Sequence, residues 1–167
     1  DEKVFQNTKG VRARGLIAQK IGFDFYLTDN QERPPYFVRQ FEDSFHAVPG
    51  AGFYKSFKKT AYDYFDARGS LYFNVTKYIN VQFGYDKNFI GDGYRSLFLS
   101  DFSNNYLFLK LNTKIWKLDY QNIFMELIPT EPVNNGNKLL DKKYAAMHHL
   151  SWQANRWLNI GLFESII

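Results

Sequence analysis

A short turn followed by an alternating strand occurs three times in the sequence, and this repetition limits the available folds more than any other feature. The copies are residues 74–83, 112–120 and 153–162, and each places Asn or Thr before a cation and then apolar residues at alternate positions. The cations, Lys77, Lys114 and Arg156, lie roughly 40 residues apart, a period that holds two strands and two unequal connections. The repeat therefore predicts an antiparallel β-meander.

Short turns alternate with long connections in this meander. We predict short turns at Thr76, Asn112 and Asn155, and long connections at 86–105 and 129–142. Short turns at one end and long loops at the other are typical of outer-membrane β-barrels. The strands of a soluble β-sandwich alternate in the same way, so a sandwich is the alternative fold.

The longest alternating run extends from Val11 to Thr28. Its apolar residues occupy odd positions, and charged residues such as Arg12 and Asp24 occupy even positions. Period two places these sets on opposite faces of one predicted strand, whose length suits a tilted barrel wall. A basic side chain at mid-bilayer costs about 2–4 kcal/mol, so we expect the charged face to line a lumen. A solvated face in a soluble sheet explains the same pattern.

Three other segments carry structural predictions. A helical insertion within 34–48 is indicated by prolines followed by aromatic residues at helical spacing: Pro34, Pro35, Tyr36, Phe37, Phe41 and Phe45. Segment 53–65 fits a helix or a strand, and strand signals resume at Gly69. The apolar parity shifts after Tyr120, which predicts a β-bulge at 121–122. We treat residues 1–167 as part of one all-β, transmembrane outer-membrane β-barrel domain.

Composition excludes several classes of site. The sequence has no cysteine, which rules out disulfides, zinc–thiolate sites and thiol nucleophiles. Its net charge of +4 is spread along the chain, without the basic stripe of a nucleic-acid-binding protein. His148 and His149 are adjacent and point to opposite faces of a strand, so we interpret them as structural histidines. We predict no catalytic residue, no cofactor and no metal site, and therefore a non-enzymatic protein.

A calcium loop is the nearest alternative among metal sites. Segment 86–94 is rich in Asp, Asn and Gly, but Ile90 and Leu97 occupy the fifth and twelfth positions of an EF-hand loop. A looser calcium site stays open as an alternative.

The two ends of the sequence lead us to expect a piece of a longer exported protein. The chain starts with the charged residues Asp1, Glu2 and Lys3, and no apolar segment of a signal peptide follows. It stops within an apolar strand pattern at 163–167.

A family resemblance is carried by segment 91–101, which reads Gly-Asp-Gly-Tyr-Arg-Ser-Leu-Phe-Leu-Ser-Asp. It resembles the Gly-x-Gly-x-x-Ser-Leu-x-Leu-Ser signature of Wzi-like capsule-assembly proteins of the bacterial outer membrane. Segments 142–151 and 158–166 resemble the Bacteroidota branch of that family, which includes RemB-type gliding-motility proteins. The resemblance covers most of the chain from Val11 onward. Asp92 and Asp101 differ from the enteric form of the signature.

The resemblance implies a large outer-membrane barrel with extracellular helices that acts as a lectin-like anchor for surface polysaccharide. The expected location is the bacterial outer membrane, and the expected partners are its lipid, surface polysaccharide and other envelope or motility proteins, without nucleic acid. An outer-membrane channel for a small solute is the alternative function. An enzyme resembling a lipid hydrolase would need a Ser–His pair that the sequence does not indicate.

The signature segment supplies the candidate ligand-binding residues, which are Asp92, Tyr94, Arg95, Ser96 and Asp101. An aromatic ring can stack on a sugar, while the forked guanidinium of Arg95 binds hydroxyls or a uronate carboxylate. In the structural alternative, the glycines form a tight turn and Arg95 binds Asp92 or Asp101 to order the loop.

Overall fold

The computed structural model describes residues 3–128 and 142–167, and most of them lie in antiparallel strands. The elements in chain order are β1 (Phe5–Ile17), β2 (Ile21–Arg33), α1 (Tyr36–Phe45), β3 (Ala47–Val48), β4 (Gly52–Phe53), β5 (Lys55–Phe57), β6 (Ala61–Asn74), β7 (Ile79–Asp86), β8 (Tyr106–Ile115), β9 (Leu118–Leu127), β10 (Lys143–Asn155) and β11 (Leu158–Ile166). No helix in the described residues is both long and apolar enough to cross a membrane.

The main sheet is a meander in the order β1-β2-β6-β7-β8-β9-β10-β11, and β5 adds a short pairing to β6. Every pairing in it is antiparallel. The predicted all-β meander is confirmed. Helix α1 and the small β3–β4 hairpin form an insertion between β2 and β6. Among the described residues, the outer edges of β1 and β11 are unpaired.

The run from Val11 to Thr28 is a hairpin, so the prediction of one long strand was wrong. The chain reverses at Ala18 and Gln19, which both have positive φ, and Lys20 N donates to Ile17 O at 3.1 Å. Ile17 pairs with Ile21 across this turn. Because the connection has an odd number of residues, apolar parity continues unchanged from one strand into the next. Neither Ala18 nor Gln19 is a residue that typically marks such a turn.

The short turns near Thr76 and Asn155 are confirmed, and the one at Asn112 was wrong. Thr76 lies between β6 and β7, and β10 ends at Asn155. Asn112 instead lies inside β8 and pairs with Asn80 of β7. The chain turns at Trp116 and Lys117, where Trp116 adopts a φ of +55°. An indole gives no sequence signal for a left-handed turn position, since Gly, Asn and Asp are the usual residues there.

The predicted bulge at 121–122 was also wrong, because β9 keeps one register with β8 and β10 through both residues. Both faces of β9 are apolar: Tyr120 and Phe124 are exposed on one face, and Ile123 and Met125 are buried on the other. Because apolar residues occupy both odd and even positions of β9, the alternation in the sequence looks shifted although the strand contains no extra residue. The irregularity in this part of the sheet lies between Gln153 and Asn155.

Three further predictions have mixed outcomes. Helix α1 falls inside the predicted 34–48 insertion, begins after Pro35 and ends at His46 in a left-handed conformation. Strand β6 begins at Ala61, well before the predicted start at Gly69. The long connection after β7 is confirmed as residues 87–105, whereas the connection predicted at 129–142 lies outside the described residues apart from its last residue.

The two faces of the sheet differ in cover and composition. On the covered face, the 87–105 connection packs over a core in which Phe108 and Ile123 are almost completely buried. The core cluster consists of Ile90, Tyr106, Phe108, Ile123, Met125 and Ala145. On the open face, large apolar side chains remain exposed, including those in register on neighbouring strands: Phe83, Leu109, Phe124 and Ile166.

Candidate functional site

The signature loop, residues 91–101, is anchored to the covered face at its base. Ile90 and Leu99 form an isolated antiparallel bridge, with Ile90 N donating to Leu99 O at 2.9 Å. Ile90 is buried in the core and Leu99 packs against it. The base is therefore fixed by two apolar side chains, while Tyr94 and Leu97 extend almost fully into solvent.

Gly91 and Ser96 shape the interior of this loop. Gly91 has a φ of +130°, a conformation that other residues rarely adopt, and a Cβ there would overlap the Ser96 side chain. The Ser96 hydroxyl donates to Ile90 O and accepts from Phe98 N at 3.1 Å. The structure thus places predicted residue Ser96 inside the loop, where its hydroxyl is occupied by backbone partners.

Phe98 joins the signature loop to the last hairpin. Its ring stacks on Phe163 with centroids 5.0 Å apart and lies 5.9 Å from the ring of His149. These contacts place Phe163 and His149 on the covered face. His148 contacts Asn122 and Tyr120 instead, as expected for adjacent residues on opposite faces of a strand.

A pocket of about 400 Å³ lies between the signature loop and the segment that follows α1. It is lined by Pro49, Gly50, Lys87, Phe89, Tyr94, Arg95, Ser100, Asp101 and Phe102. Three predicted residues, Tyr94, Arg95 and Asp101, therefore meet at one site. Asp92 and Ser96 do not line it.

An aromatic ring supports the guanidinium of Arg95. Its Cζ lies 4.6 Å from the centroid of the Phe102 ring, which is cation–π geometry. Within residues 3–128 and 142–167, Arg95 makes no ion pair with Asp92 or Asp101. The edge of the guanidinium fork is therefore free to bind an oxygen ligand.

Lys87 is a second cation in the pocket, and no sequence pattern indicated its role. Its Nζ donates to Gly50 O at 2.6 Å, which connects the loop to the segment after α1. Partial burial lowers the pKa of Lys87, and the nearby charge of Arg68 lowers it further, whereas Asp66 and Asp101 oppose the shift. Nothing in the polar sequence around Lys87 distinguishes it from a solvated lysine.

A polar network joins the end of the 87–105 connection to β6. Asp66 is buried and pairs with Arg68, and Asn105 Nδ2 donates to Asp66 Oδ1 at 2.7 Å and to Ala67 O at 3.3 Å. Asp86 Oδ1 accepts from Lys87 N at 2.8 Å. Asn105 thus holds the end of the 87–105 connection to β6.

A second pocket, of about 450 Å³, lies where β4, β7, β8 and β9 meet. Its polar side chains are already engaged in part: Asn105 binds Asp66, and Glu126 Oε1 lies 2.8 Å from Lys142 Nζ. Its exposed rings are Phe53 and Tyr85. It therefore has fewer polar groups available to bind an oxygen ligand than the pocket that Arg95 lines.

In the described part of the chain, no group of three or more His, Asp or Glu side chains is arranged so that it could hold a metal ion. No protein-family model, curated protein or solved structure matches the sequence or its fold. The resemblance to Wzi-like proteins stays a prediction that rests on the residues quoted for it.

Proposed function

We propose that this chain is part of an outer-membrane β-barrel that holds surface polysaccharide without catalysis, through the pocket beside the signature loop. In this function the protein supports capsule attachment or assembly, and through surface glycan it also supports gliding motility. The observation that carries the proposal is the contrast, on one continuous meander, between an exposed and largely apolar face and a face that carries two ion pairs and is covered by the 87–105 connection.

The open face has the chemistry of a lipid-contacting surface. Phe83, Phe124 and Ile166 are 47%, 44% and 61% exposed, although each lies in a regular strand with paired neighbours. A soluble protein rarely exposes so large a continuous apolar area, because water contact with it is unfavourable. In a membrane the same side chains contact acyl chains without penalty.

The covered face carries two ion pairs. Arg12 pairs with Asp24 across the first hairpin, with Arg12 Nη2 2.6 Å from Asp24 Oδ2, and Asp66 pairs with Arg68 on β6. Paired charges that face away from the apolar surface are typical of a barrel lumen, where water and opposite charges compensate them. The 87–105 connection lies over this face, which favours a plugged anchor over an open channel.

The pocket suits an acidic or hydroxyl-rich glycan. A guanidinium oriented by an aromatic ring binds a carboxylate or a pair of hydroxyls through two N–H groups. Tyr94 adds an exposed ring beside it, and sugars stack on such rings through their apolar faces. Lys87 contributes positive charge from the pocket floor.

The membrane part of the proposal is tested on the intact protein by cell fractionation and gel mobility. We expect it in the outer-membrane fraction, with a faster-migrating folded form that heating converts to the unfolded one. Recovery in the aqueous phase without detergent would contradict it.

The ligand part is tested with capsular polysaccharide from the producing cells, using immobilised intact protein in detergent. We expect retention of polysaccharide that is lost when its uronate carboxyls are reduced. Planar-bilayer conductance separates the channel alternative, since an anchor covered by its own loop does not conduct and an open pore does.

A further inference from the structure

A row of polar side chains interrupts the apolar open face on the last three strands. We call Asn122, His148 and Glu164 the polar row: His148 pairs in register with Asn122 on β9 and with Glu164 on β11. The neighbouring positions on the same face are apolar or aromatic. They are Phe124, Ala146 and Ile166 on one side and Tyr120, Leu150 and Leu162 on the other.

His148 is satisfied on only one side of its ring. Its Nδ1 lies 2.5 Å from Asn122 Oδ1 and 3.3 Å from the Tyr120 hydroxyl. The rings of Tyr120 and Phe124 flank the imidazole, each with its centroid 6.3 Å away. These contacts fix the ring and leave Nε2 without a hydrogen-bond partner in the described residues.

Glu164 has a carboxylate with no partner at all within the described part of the chain, neither a hydrogen bond nor an ion pair. Its neighbour Phe163 stacks on Phe98 on the covered face, so Glu164 points to the open face. Leu162 and Ile166, two residues away on either side, are 64% and 61% exposed. An acid therefore lies unpaired in an apolar surface.

This inference rests on the proposed function, because the cost of the polar row depends on what covers the open face. In water, an exposed Glu and His need no explanation. Against acyl chains, an unpaired carboxylate is strongly unfavourable, and ionisable residues on such surfaces usually pair with another group. Glu164 and His148 Nε2 therefore each need a hydrogen-bonding partner that the described residues do not supply.

We propose that the open face of β9–β11 is an interface between two copies of this protein in the membrane. A second copy fits because an acid and a base lie side by side within one patch, which makes the patch complementary to itself. Two copies related by a two-fold axis that runs along the membrane normal, between β10 and β11, face each other through this patch. The rotation keeps the depth of each residue in the membrane and reverses its position to the left or right of the axis. It therefore places His148 of each copy opposite Glu164 of the other.

Each copy then supplies what the other lacks. His148 Nδ1 keeps its contact with Asn122 of its own chain, and Nε2 meets the Glu164 carboxyl group of the second copy, where one proton between the two atoms completes the hydrogen bond. The surrounding apolar side chains exclude lipid and water from the two pairs. Glu164 and His148 are thus paired where lipid would leave them unpaired.

Cysteine cross-linking in intact outer membranes tests the interface, since the chain has no cysteine of its own. Leu162→Cys places a thiol beside the polar row, and Leu109→Cys places a matched thiol on the same face of β8, three strands from β11. With a short bismaleimide, we expect a covalent dimer for Leu162→Cys and monomer for Leu109→Cys.

Two further variants, made in the Leu162→Cys background, link the dimer to the polar row. Glu164→Leu removes the acceptor, and we expect about tenfold less cross-linked dimer, since removing one partner of a desolvated pair is costly. The double exchange His148→Glu with Glu164→His restores opposite groups across the axis and should recover the dimer. Heat-modifiable gel mobility confirms that each variant is folded.

Four results would overturn the proposal: no dimer from Leu162→Cys, equal dimer from both thiols, dimer that persists in Glu164→Leu, or a cross-link to a different protein. Failure of the proposed function is separate, because it appears as recovery of the protein in the aqueous fraction. In that case, the same cross-link in solution supports the interface alone, and its absence overturns both.

Discussion

Arg95 and Lys87 bring two cations to one pocket, and they are held in different ways. Lys87 Nζ donates to Gly50 O at 2.6 Å, and its partial burial lowers its pKa. Arg95 is exposed and lies over the Phe102 ring. Lys87 therefore contributes to the position of the loop as well as to the charge of the pocket, whereas the guanidinium of Arg95 makes no ion pair within the described residues.

Arg95→Lys keeps the positive charge and removes the planar fork. We expect glycan affinity to fall about tenfold, because an ammonium cannot bind a carboxylate with two parallel N–H groups. The measurement is capsular-polysaccharide binding by the intact protein, together with capsule retention or colony spreading of the cells. Arg14→Lys, at an exposed arginine away from the pocket, is the control. Unchanged binding with unchanged gel mobility would show that Arg95 does not contact ligand.

Ser96→Ala tests the structural role that the loop geometry gives to Ser96. The substitution removes the hydroxyl that donates to Ile90 O and accepts from Phe98 N, so we expect the loop to open more often. Loss of such hydrogen bonds costs about 1–3 kcal/mol. Limited proteolysis should then cut within 92–97 several times faster than in wild type. Ser103→Ala, whose hydroxyl has one long contact of 3.5 Å to Ser100 O, should leave the rate unchanged.

Helix α1 is unusual at the scale of an element, because it buries an acid and exposes its aromatic residues. Glu42 is 2% exposed, while Phe37 and Phe41 are 72% and 52% exposed. Burial raises the pKa of Glu42 to about 7, and the charges of Glu32 and Asp43 add to the rise. Asp43 in turn accepts hydrogen bonds from Tyr62 and Tyr54, at 2.7 Å and 3.0 Å.

The docking of α1 should therefore weaken as pH rises. The folded state holds the Glu42 proton to about pH 7, whereas the unfolded group releases it near the ordinary value of 4.5. The folded state thus binds more protons between these values, so stability is highest below 4.5, falls across the window and stays low above it. Hydrogen exchange of the amides of residues 36–46, corrected for intrinsic rates, should become faster from about pH 5 to about pH 8.

Glu42→Gln removes the titrating group and should remove most of this pH dependence, leaving α1 protected at high pH. Asp29→Asn, which changes an exposed carboxylate on β2, should leave the dependence intact. The same pH dependence in Glu42→Gln as in wild type would exclude Glu42 as its source.

The sequence predicted α1 and the meander because both follow from periodicity, and it failed where periodicity carries no information. The connection at Ala18 and Gln19 has three residues, so the apolar residues stay at odd positions in both strands of the hairpin. The turn at Trp116 contains no residue that typically marks a turn. Strand β9 has apolar residues on both faces because the 87–105 connection covers Ile123 and Met125. In the sequence, this pattern looks like the shift that a bulge produces. That packing depends on contacts between distant parts of the chain.

The candidate site was predictable in the same partial way. The signature segment identified the loop, and three of its five candidate ligand-binding residues, Tyr94, Arg95 and Asp101, line one pocket. Lys87 and Phe102 were missed, because their contribution comes from the folding of the connection back onto Gly50 and Arg95. Ser96 was predicted as a ligand residue, yet a hydroxyl in a sequence does not reveal whether a backbone carbonyl will occupy it.

At the scale of the whole molecule, the two faces of the sheet differ in what covers them. The exposed apolar residues of the open face extend from β1 to β11, and the Arg12–Asp24 pair, the Asp66–Arg68 pair and the signature loop lie on the covered face. A soluble sandwich would need a second layer over the open face. A barrel wall needs only lipid, and lipid contact makes the cost of a charge depend on its depth.

Arginine substitutions at two depths on the open face of β8 distinguish these environments. Leu109 lies in the middle of the apolar region and Ile115 at the turn end of the same strand, and both are exposed. In a bilayer, Leu109→Arg should cost about 2–4 kcal/mol and Ile115→Arg about 0–1 kcal/mol. Urea titration of the intact protein in phospholipid vesicles, followed by heat-modifiable gel mobility, measures both values. In a solvent-exposed sheet the two substitutions would cost similar amounts, so equal midpoints at unchanged slope would contradict the membrane assignment.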